Sequence, residues 1–250
     1  MKRWLLVIVL GTAAVAVASW QWYQAGEGRR LVARFVDEPG LAPRVVALGP
    51  DAVPLVCEKI EALPASGLNE AERRQATSCI NVLDALAAGY PYTMAQSVPF
   101  LIETIQRMQT EADRALILDA VAGAFEQTGV TPALDALEFE YRQSRPGDPA
   151  FLAYKTTVAA LLRKMGPDRC LPVLEGRLLT TQGDLRRNLA ALVAGFAPDE
   201  RVDRILARTL ETEDDAARRA WLAETIDRLR SGGQAPQAPA AANPPAAPKD

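Results

Sequence analysis

The chain has 250 residues, a net charge of −3 and an isoelectric point near 5.3, which argues against nucleic acid as its main partner because nucleic-acid binders need a basic face. It contains no histidine, and this excludes Ser-His-Asp catalysis, Cys-His catalysis and histidine-ligated zinc. Alanine and aliphatic residues dominate while aromatic residues make up only 6%, a composition that favours closely packed helices over strands.

The first element in chain order is an apolar N-terminal segment. Lys2 and Arg3 precede an uncharged run over residues 4–23 with aromatic residues near both ends. A run of about 20 residues matches the thickness of a bilayer, and aromatic side chains suit its interfaces. We therefore predict a signal anchor or transmembrane segment over residues 1–27, with a cytoplasmic N-terminus and the rest of the chain on the periplasmic side of the cell membrane. The alternative is a signal peptide cleaved near Ala18, which would release the chain into the periplasm.

Prolines recur through the middle of the chain. Pro54, Pro99, Pro132 and Pro172 each lie in an apolar stretch with helical periodicity, and successive members are 45, 33 and 40 residues apart. Each stretch is followed, after an acidic or polar turn, by a second amphipathic stretch. We expect each proline in the first turn of its helix, where the missing amide hydrogen would be unpaired in any case. A helix pair that recurs at such intervals is typical of an α-solenoid.

Turn motifs divide the region into about five helix pairs. Gly-Pro-Asp at residues 49–51 and 166–168, and Ala-Pro-Asp at 197–199, can each end one helix and begin another. After an entry segment over 29–48, the predicted helices are 53–63 and 69–88, 98–108 and 111–127, 132–143 and 149–165, 171–179 and 184–196, and 201–210 and 215–229. The predicted fold is all-α, an α–α superhelix over residues 28–230.

The second helices of four pairs share a charge pattern, in which an acidic residue in the turn is followed by arginine near the helix start. Arginine is not favoured there, because the helix macrodipole is positive at its N-terminus. Its recurrence indicates either ion-pair ladders between neighbouring repeats or a basic rim that binds an acidic segment of a partner. The predicted partner-binding residues are Arg74, Arg114, Arg187 and Arg219.

Together these motifs resemble the HEAT repeat family, in its short bacterial form, over about residues 41–229. Its Val-Pro-x-Leu element is matched at residues 53–55, 98–100 and 171–173. Its aspartate-arginine element is matched by Asp184 with Arg187 and by Asp215 with Arg219, and its helix end by Ala47-Leu48-Gly49. The resemblance implies a solenoid that binds other proteins along the surface of its second helices. Some relatives of the short bacterial form act as lyases on tetrapyrrole chromophores.

No catalytic or cofactor motif accompanies the repeats: the sequence has no phosphate-binding glycine loop, nucleophile elbow or metal-ligand cluster. Lys155 beside Tyr154 is interpreted as a lysine whose stem covers apolar surface, with a buried functional lysine as the alternative. We therefore predict a membrane-anchored, envelope-facing scaffold for protein–protein interaction, with no enzyme activity, cofactor or nucleic-acid partner. The alternative is a lyase-like or maturation-factor subunit that acts on a small-molecule or cofactor-bearing partner.

Three cysteines and a proline-rich tail remain. Cys57, Cys79 and Cys170 lie among apolar helical neighbours, where a thiol behaves as a small hydrophobic group. We predict three buried free thiols; the alternative pairs Cys57 with Cys79 across one helical hairpin in an oxidising compartment. Residues 231–250 combine five prolines with alanine, so we predict a disordered tail or spacer, with a polyproline ligand as the alternative.

Overall fold

The computed structural model describes residues 26–145 and 147–231. Within these ranges every regular element is helical and none is a strand, which confirms the all-α prediction. None of the helices described there is long and apolar enough to cross a membrane. Most of the predicted membrane segment over residues 1–27, and all but the first residue of the predicted tail over 231–250, lie outside the described residues.

The described chain forms two compact units. In its described part, the first unit runs as far as Pro64 and resumes over Leu68–Ser97. The second unit consists of Ala65–Gly67 and the chain from Val98 onwards. The short piece over Ala65–Gly67 is held in the second unit by a hydrogen bond in which the Gln109 amide donates to the Ala65 carbonyl oxygen at 2.9 Å.

The first unit contains the first predicted helix pair and the segment that leads into it. Its helices are α1 over 26–37, α2 over Ala42–Val46, α3 over Ala52–Glu61 and α4 over Glu70–Gly89, with 3-10 turns at Pro39–Leu41 and Gly49–Asp51. Helices α3 and α4 pack against each other as the predicted hairpin, and α2 packs against α4. The core of this unit includes Phe35, Val45, Val56, Ile60, Ile80, Leu83 and Leu86.

The second unit contains most of the predicted repeats. After α5 over Pro91–Arg107, which begins in the first unit, come α6 over Glu111–Ala124, α7 over Val130–Gln143, α8 over Pro149–Met165, α9 over Pro167–Thr180, α10 over Gly183–Ala194, α11 over Glu200–Glu211 and α12 over Ala216–Arg230. Helix α7 packs on α8, α9 on α10 and α11 on α12. Contacts between equivalent helices of neighbouring pairs join α7 to α9, α9 to α11, α6 to α8 and α10 to α12.

Polar residues in the turns determine where most second helices begin. The Asn69 side chain accepts from the Glu72 amide at 3.0 Å, and the Glu72 carboxylate accepts from the Asn69 amide at 2.8 Å, which forms a reciprocal capping box before α4. Thr110, Asp148 and Asp215 each accept a hydrogen bond from a first-turn amide of α6, α8 and α12. These caps satisfy amide groups that would otherwise lack partners, so the helices begin close to their predicted positions.

Two of the four recurrent prolines lie deeper in their helices than predicted. Helix α5 begins at Pro91 and α9 at Pro167, so Pro99 and Pro172 lie inside these helices and not in their first turns. A proline at the first helical position costs no hydrogen bond and has the backbone angle that a helix needs, so Pro91 and Pro167 start each helix earlier. The other two prolines do lie in the first turns of α3 and α7.

The three cysteines are free thiols, as predicted. Cys79 and Cys170 are buried, whereas Cys57 is only half-buried, and Cys57 and Cys79 lie on the paired helices α3 and α4. Burial raises the pKa of Cys57 to about 11, with a further contribution from the Glu61 carboxylate. Burial likewise raises the pKa of Cys79 and of Cys170 to about 12. All three are therefore neutral thiols that act as packing groups at neutral pH.

Candidate partner-binding surface

The four predicted partner-binding arginines are divided between the two units. Arg74 lies near the start of α4 in the first unit and is exposed. The other three lie in the second unit on α6, α10 and α12. We call the surface formed by α6, α8, α10 and α12 the second-helix surface; its charged residues include Arg114, Lys155, Arg187 and Arg219.

Three of these arginines contact groups of their own turn or helix. Arg114 donates to the Gln109 carbonyl oxygen at 3.4 Å, and Arg219 donates through Nε to the Glu213 carbonyl oxygen at 2.9 Å. Arg187 lies near Asp184 of the same helix, with 3.7 Å between Nη2 and Oδ1. That separation is an ion-pair distance too long for a hydrogen bond, and only 14% of the Arg187 side chain is exposed. None of the contacts named here joins one repeat to the next.

Arg186, the neighbour of Arg187, makes the connection between repeats. Its Nη1 donates to the Thr212 carbonyl oxygen at 2.9 Å and lies 3.4 Å from Glu213 Oε2, and its Nη2 donates to the Thr212 hydroxyl. Both Arg186 and Glu213 are buried. The other Glu213 carboxylate oxygen accepts from Arg218 Nε and from the Asp215 amide, each at 3.1 Å. Glu213 therefore joins the start of α10 to the turn before α12.

Further ion pairs between repeats run along the first helices and form what we call the first-helix ladder. Its contacts are Arg177 of α9 with Asp135 and Glu138 of α7, Arg208 of α11 with Glu175 of α9 at 3.3 Å, and Arg201 of α11 with Asp168 of α9 at 2.7 Å. The sequence pattern predicted such ladders at the starts of the second helices. There, Arg114 and Arg219 reach carbonyl groups of their own turns, whereas Arg186 extends to the turn before the next second helix.

A polar group that the sequence analysis did not assemble lies where α8, α10 and the end of α7 approach one another. It consists of Lys155, Asn188 and Arg187, which we call the Lys155 cluster. Lys155 Nζ donates to the Asn188 Oδ1 atom at 3.1 Å, across 33 residues of sequence. Burial and the neighbouring Arg187 guanidinium lower the pKa of Lys155. In the described part of the chain no carboxylate oxygen lies within 4.0 Å of Lys155 Nζ.

Tyr141 lies in the last turns of α7, where the charge of Arg187 acts on it. Its ring packs edge-on against Phe151 of α8, with 5.5 Å between ring centroids and an interplanar angle of 62°. Burial and the Asp184 carboxylate raise the pKa of Tyr141, whereas Arg187 and Arg218 lower it, and the net direction is upward. The hydroxyl group therefore keeps its proton at neutral pH and can donate a hydrogen bond. The ammonium group of Lys155 hydrogen-bonds Asn188 and not the neighbouring Tyr154.

The described residues hold an apolar cavity but no metal-ligand cluster. Within residues 26–145 and 147–231 there is no group of three or more cysteine, aspartate and glutamate side chains that could hold a metal ion. A cavity of about 550 Å³ lies in the first unit, and its lining is mostly apolar with two polar side chains. The lining residues are Phe35, Pro39, Ala42, Pro43, Val46, Ser78, Asn81, Val82 and Ala85.

Comparison with known proteins adds no relative. No family model matches the chain, and neither a curated protein nor a solved structure matches it. The resemblance to HEAT repeats therefore stays a prediction that rests on the motifs of this sequence.

Proposed function

We propose that this protein is an α-solenoid of HEAT-like repeats that binds a protein partner through its second-helix surface. The observation that supports this proposal is the pattern of helix contacts in the second unit. There α7 contacts α9, α9 contacts α11, α6 contacts α8 and α10 contacts α12, in addition to the contacts within the pairs α7–α8, α9–α10 and α11–α12. In a solenoid each repeat packs mainly on its neighbours, so that equivalent helices line a continuous surface suited to protein binding.

Charge favours the second-helix surface over the opposite one. The arginines of the first-helix ladder are paired with carboxylates of the neighbouring helix, so little net charge is left for a partner. On the second-helix surface Lys155 lacks such a carboxylate in the described residues. A partner with an acidic segment would complement this excess of positive charge, and its affinity would fall as salt is added.

The proposed place of action is the cell envelope. The uncharged run over residues 4–23 is long enough to span a bilayer, and the basic residues before it favour a cytoplasmic N-terminus. We therefore propose a single-pass anchor with the repeats on the periplasmic side, where they would hold a partner close to the membrane.

The proposed function predicts a protein partner that depends on the arginines of the second-helix surface. We expect the full-length chain, purified from detergent-solubilised envelope, to carry a protein in stoichiometric amount. Arg187→Glu combined with Arg219→Glu should remove that protein, because the two new carboxylates would repel an acidic segment. The melting temperature of the variant is measured alongside. Arg204→Glu is the matched control, since Arg204 is an exposed arginine of the first helix α11.

Two outcomes would contradict the proposal. Retention of the partner by the double variant, together with a lowered melting temperature, would assign Arg187 and Arg219 to stability alone. Recovery of a coloured or small-molecule ligand, with no protein in stoichiometric amount, would favour the lyase-like or maturation-factor alternative.

A further inference from the structure

The cavity of the first unit has the size and the lining of a ligand site. Its volume of about 550 Å³ lies within the range of about 300–1,000 Å³ that is usual for such sites. Phe35 and Val82 of the lining are buried, Ser78 is half-buried and Asn81 is exposed, so the apolar part of the lining lies deepest. None of the described residues that line the cavity is charged. The cavity therefore suits an apolar ligand with a neutral polar group at the mouth.

The two polar side chains of the lining have no hydrogen-bond partner in the part of the chain that the structure describes. Ser78 and Asn81 are about one turn apart on α4, so they lie on the same face of that helix. A hydroxyl group and an amide group can each donate a hydrogen bond to a carbonyl oxygen. An ester or amide carbonyl of a ligand would satisfy both side chains while its apolar part enters the cavity.

The volume favours a long hydrocarbon chain over a single side chain of a protein partner. An apolar cavity of about 150 Å³ is large enough to hold benzene. At about 550 Å³ the cavity of the first unit is more than three times as large. One leucine or phenylalanine side chain would therefore leave much of it empty, whereas an acyl chain could fill it and needs no charged group to bind.

The position of the cavity in the chain favours an acyl chain that comes from the membrane. Helix α1 begins at Gly26, shortly after the uncharged run over residues 4–23. Phe35 lies nine residues further along α1, which is about 14 Å along the helix axis. Arg29 and Arg30 of the same helix are exposed and have no carboxylate within 4.0 Å in the described residues. Guanidinium groups bind phosphate oxygens well, so both arginines suit the headgroups of nearby lipids.

We propose that the cavity of the first unit binds one acyl chain of a phospholipid from the membrane that anchors the protein. Ser78 and Asn81 would donate hydrogen bonds to the ester group of that chain. This inference rests on the proposed place of action in the cell envelope. The bound lipid would hold the first unit against the membrane surface, in addition to the anchor.

A phosphatidylcholine that carries a diazirine group on its acyl chain tests the proposal, with the full-length protein in phosphatidylcholine vesicles. After irradiation, trypsin should release residues 4–29 as one peptide and residues 35–44 as another. The first peptide contains the proposed anchor, and the second contains Phe35 and Pro39 of the cavity lining. We expect mass spectrometry to find lipid adducts on both peptides.

Ala85→Trp should lower the yield of the adduct on 35–44 at least about tenfold, because the indole ring would occupy the space of the acyl chain. The adduct on 4–29 should remain. Ala71→Trp is the matched control, since Ala71 is an exposed alanine of the same helix, about 21 Å from Ala85 along its axis. It should change the yield less than about twofold, as surface substitutions usually do. Asn81→Phe is a second variant if Ala85→Trp does not fold.

The two adducts distinguish failure of the lipid site from failure of the anchor. An adduct on 4–29 alone overturns the lipid site while the anchor stands, and so does an adduct on 35–44 that folded Ala85→Trp retains at the wild-type level. An adduct on 35–44 that Ala85→Trp removes, with none on 4–29, overturns the anchor while the lipid site stands. If neither peptide carries lipid, both proposals are overturned.

Discussion

Glu213→Ala is expected to lower the free energy of unfolding by about 3–5 kcal/mol, the usual cost of removing one partner of a buried ion pair. The Glu213 carboxylate lies between two arginines, 3.4 Å from Arg186 Nη1 and 3.1 Å from Arg218 Nε. Without it the buried Arg186 guanidinium keeps only the oxygen atoms of Thr212, and the Asp215 amide loses its acceptor. Urea unfolding of the full-length chain, followed by circular dichroism, measures the change.

Asp203→Ala is the matched control for Glu213→Ala. It also removes a carboxylate that pairs with an arginine of another helix, here Arg230 of α12 at 2.9 Å. Both side chains of this pair are about half exposed, at 46% and 59%, so the change should cost no more than about 1 kcal/mol. Equal losses of unfolding free energy in the two variants would contradict a buried ion pair between α10 and the turn before α12.

Gly129→Ala is expected to lower the free energy of unfolding by about 1–3 kcal/mol, as other overpacked substitutions do. A Cβ atom at Gly129 would lie 2.7 Å from Phe125 Cβ, 2.8 Å from the Phe125 carbonyl oxygen and 2.9 Å from Met165 Cε. The backbone angle φ of Gly129 is −80°, which alanine adopts freely, so the loss would come from this close approach alone. The same unfolding measurement applies.

Gly176→Ala should have the opposite sign. Gly176 lies inside α9, and its added Cβ would meet nothing within 4 Å. Alanine there should raise the free energy of unfolding by about 0.5–1 kcal/mol, because glycine is the more flexible residue in the unfolded chain. If Gly129→Ala and Gly176→Ala both raised the free energy of unfolding, the turn between α6 and α7 would have space for a Cβ atom. That result would contradict the close packing around Gly129.

The helical hairpins could be predicted because their signals are local. Apolar periodicity placed ten helices, and the starts of the second helices α4, α6, α8, α10 and α12 were predicted within a residue or two. The starts of α5 and α9 were wrong, because an earlier proline was available to each helix. A helix in an apolar stretch that contains a proline can begin at that proline or at an earlier residue. Pro99 and Pro172 alone therefore could not show at which residue α5 and α9 begin.

Side-chain partners were harder to predict than helices. The recurrence of arginine drew attention to Arg187, whereas the buried connection between repeats uses the adjacent Arg186. Two neighbouring residues on a helix point about 100° apart, and the sequence does not say which of them faces the next repeat. The hydrogen bond between Lys155 and Asn188 could have been predicted from spacing. The two residues are 33 positions apart, which is also the separation of Arg208 and Glu175, a pair that joins neighbouring repeats.

Site-specific photocrosslinking tests most directly whether the second-helix surface carries partner binding. A benzophenone side chain at Thr156, an exposed residue of α8 beside Lys155, leaves every arginine of the surface in place. The control position is Arg204, which is exposed on the first helix α11. Irradiation of the full-length protein in its own membrane should join a partner protein to position 156 and not to position 204. A crosslink from position 204 alone, or equal crosslinks from both, would contradict the assignment of binding to the second-helix surface.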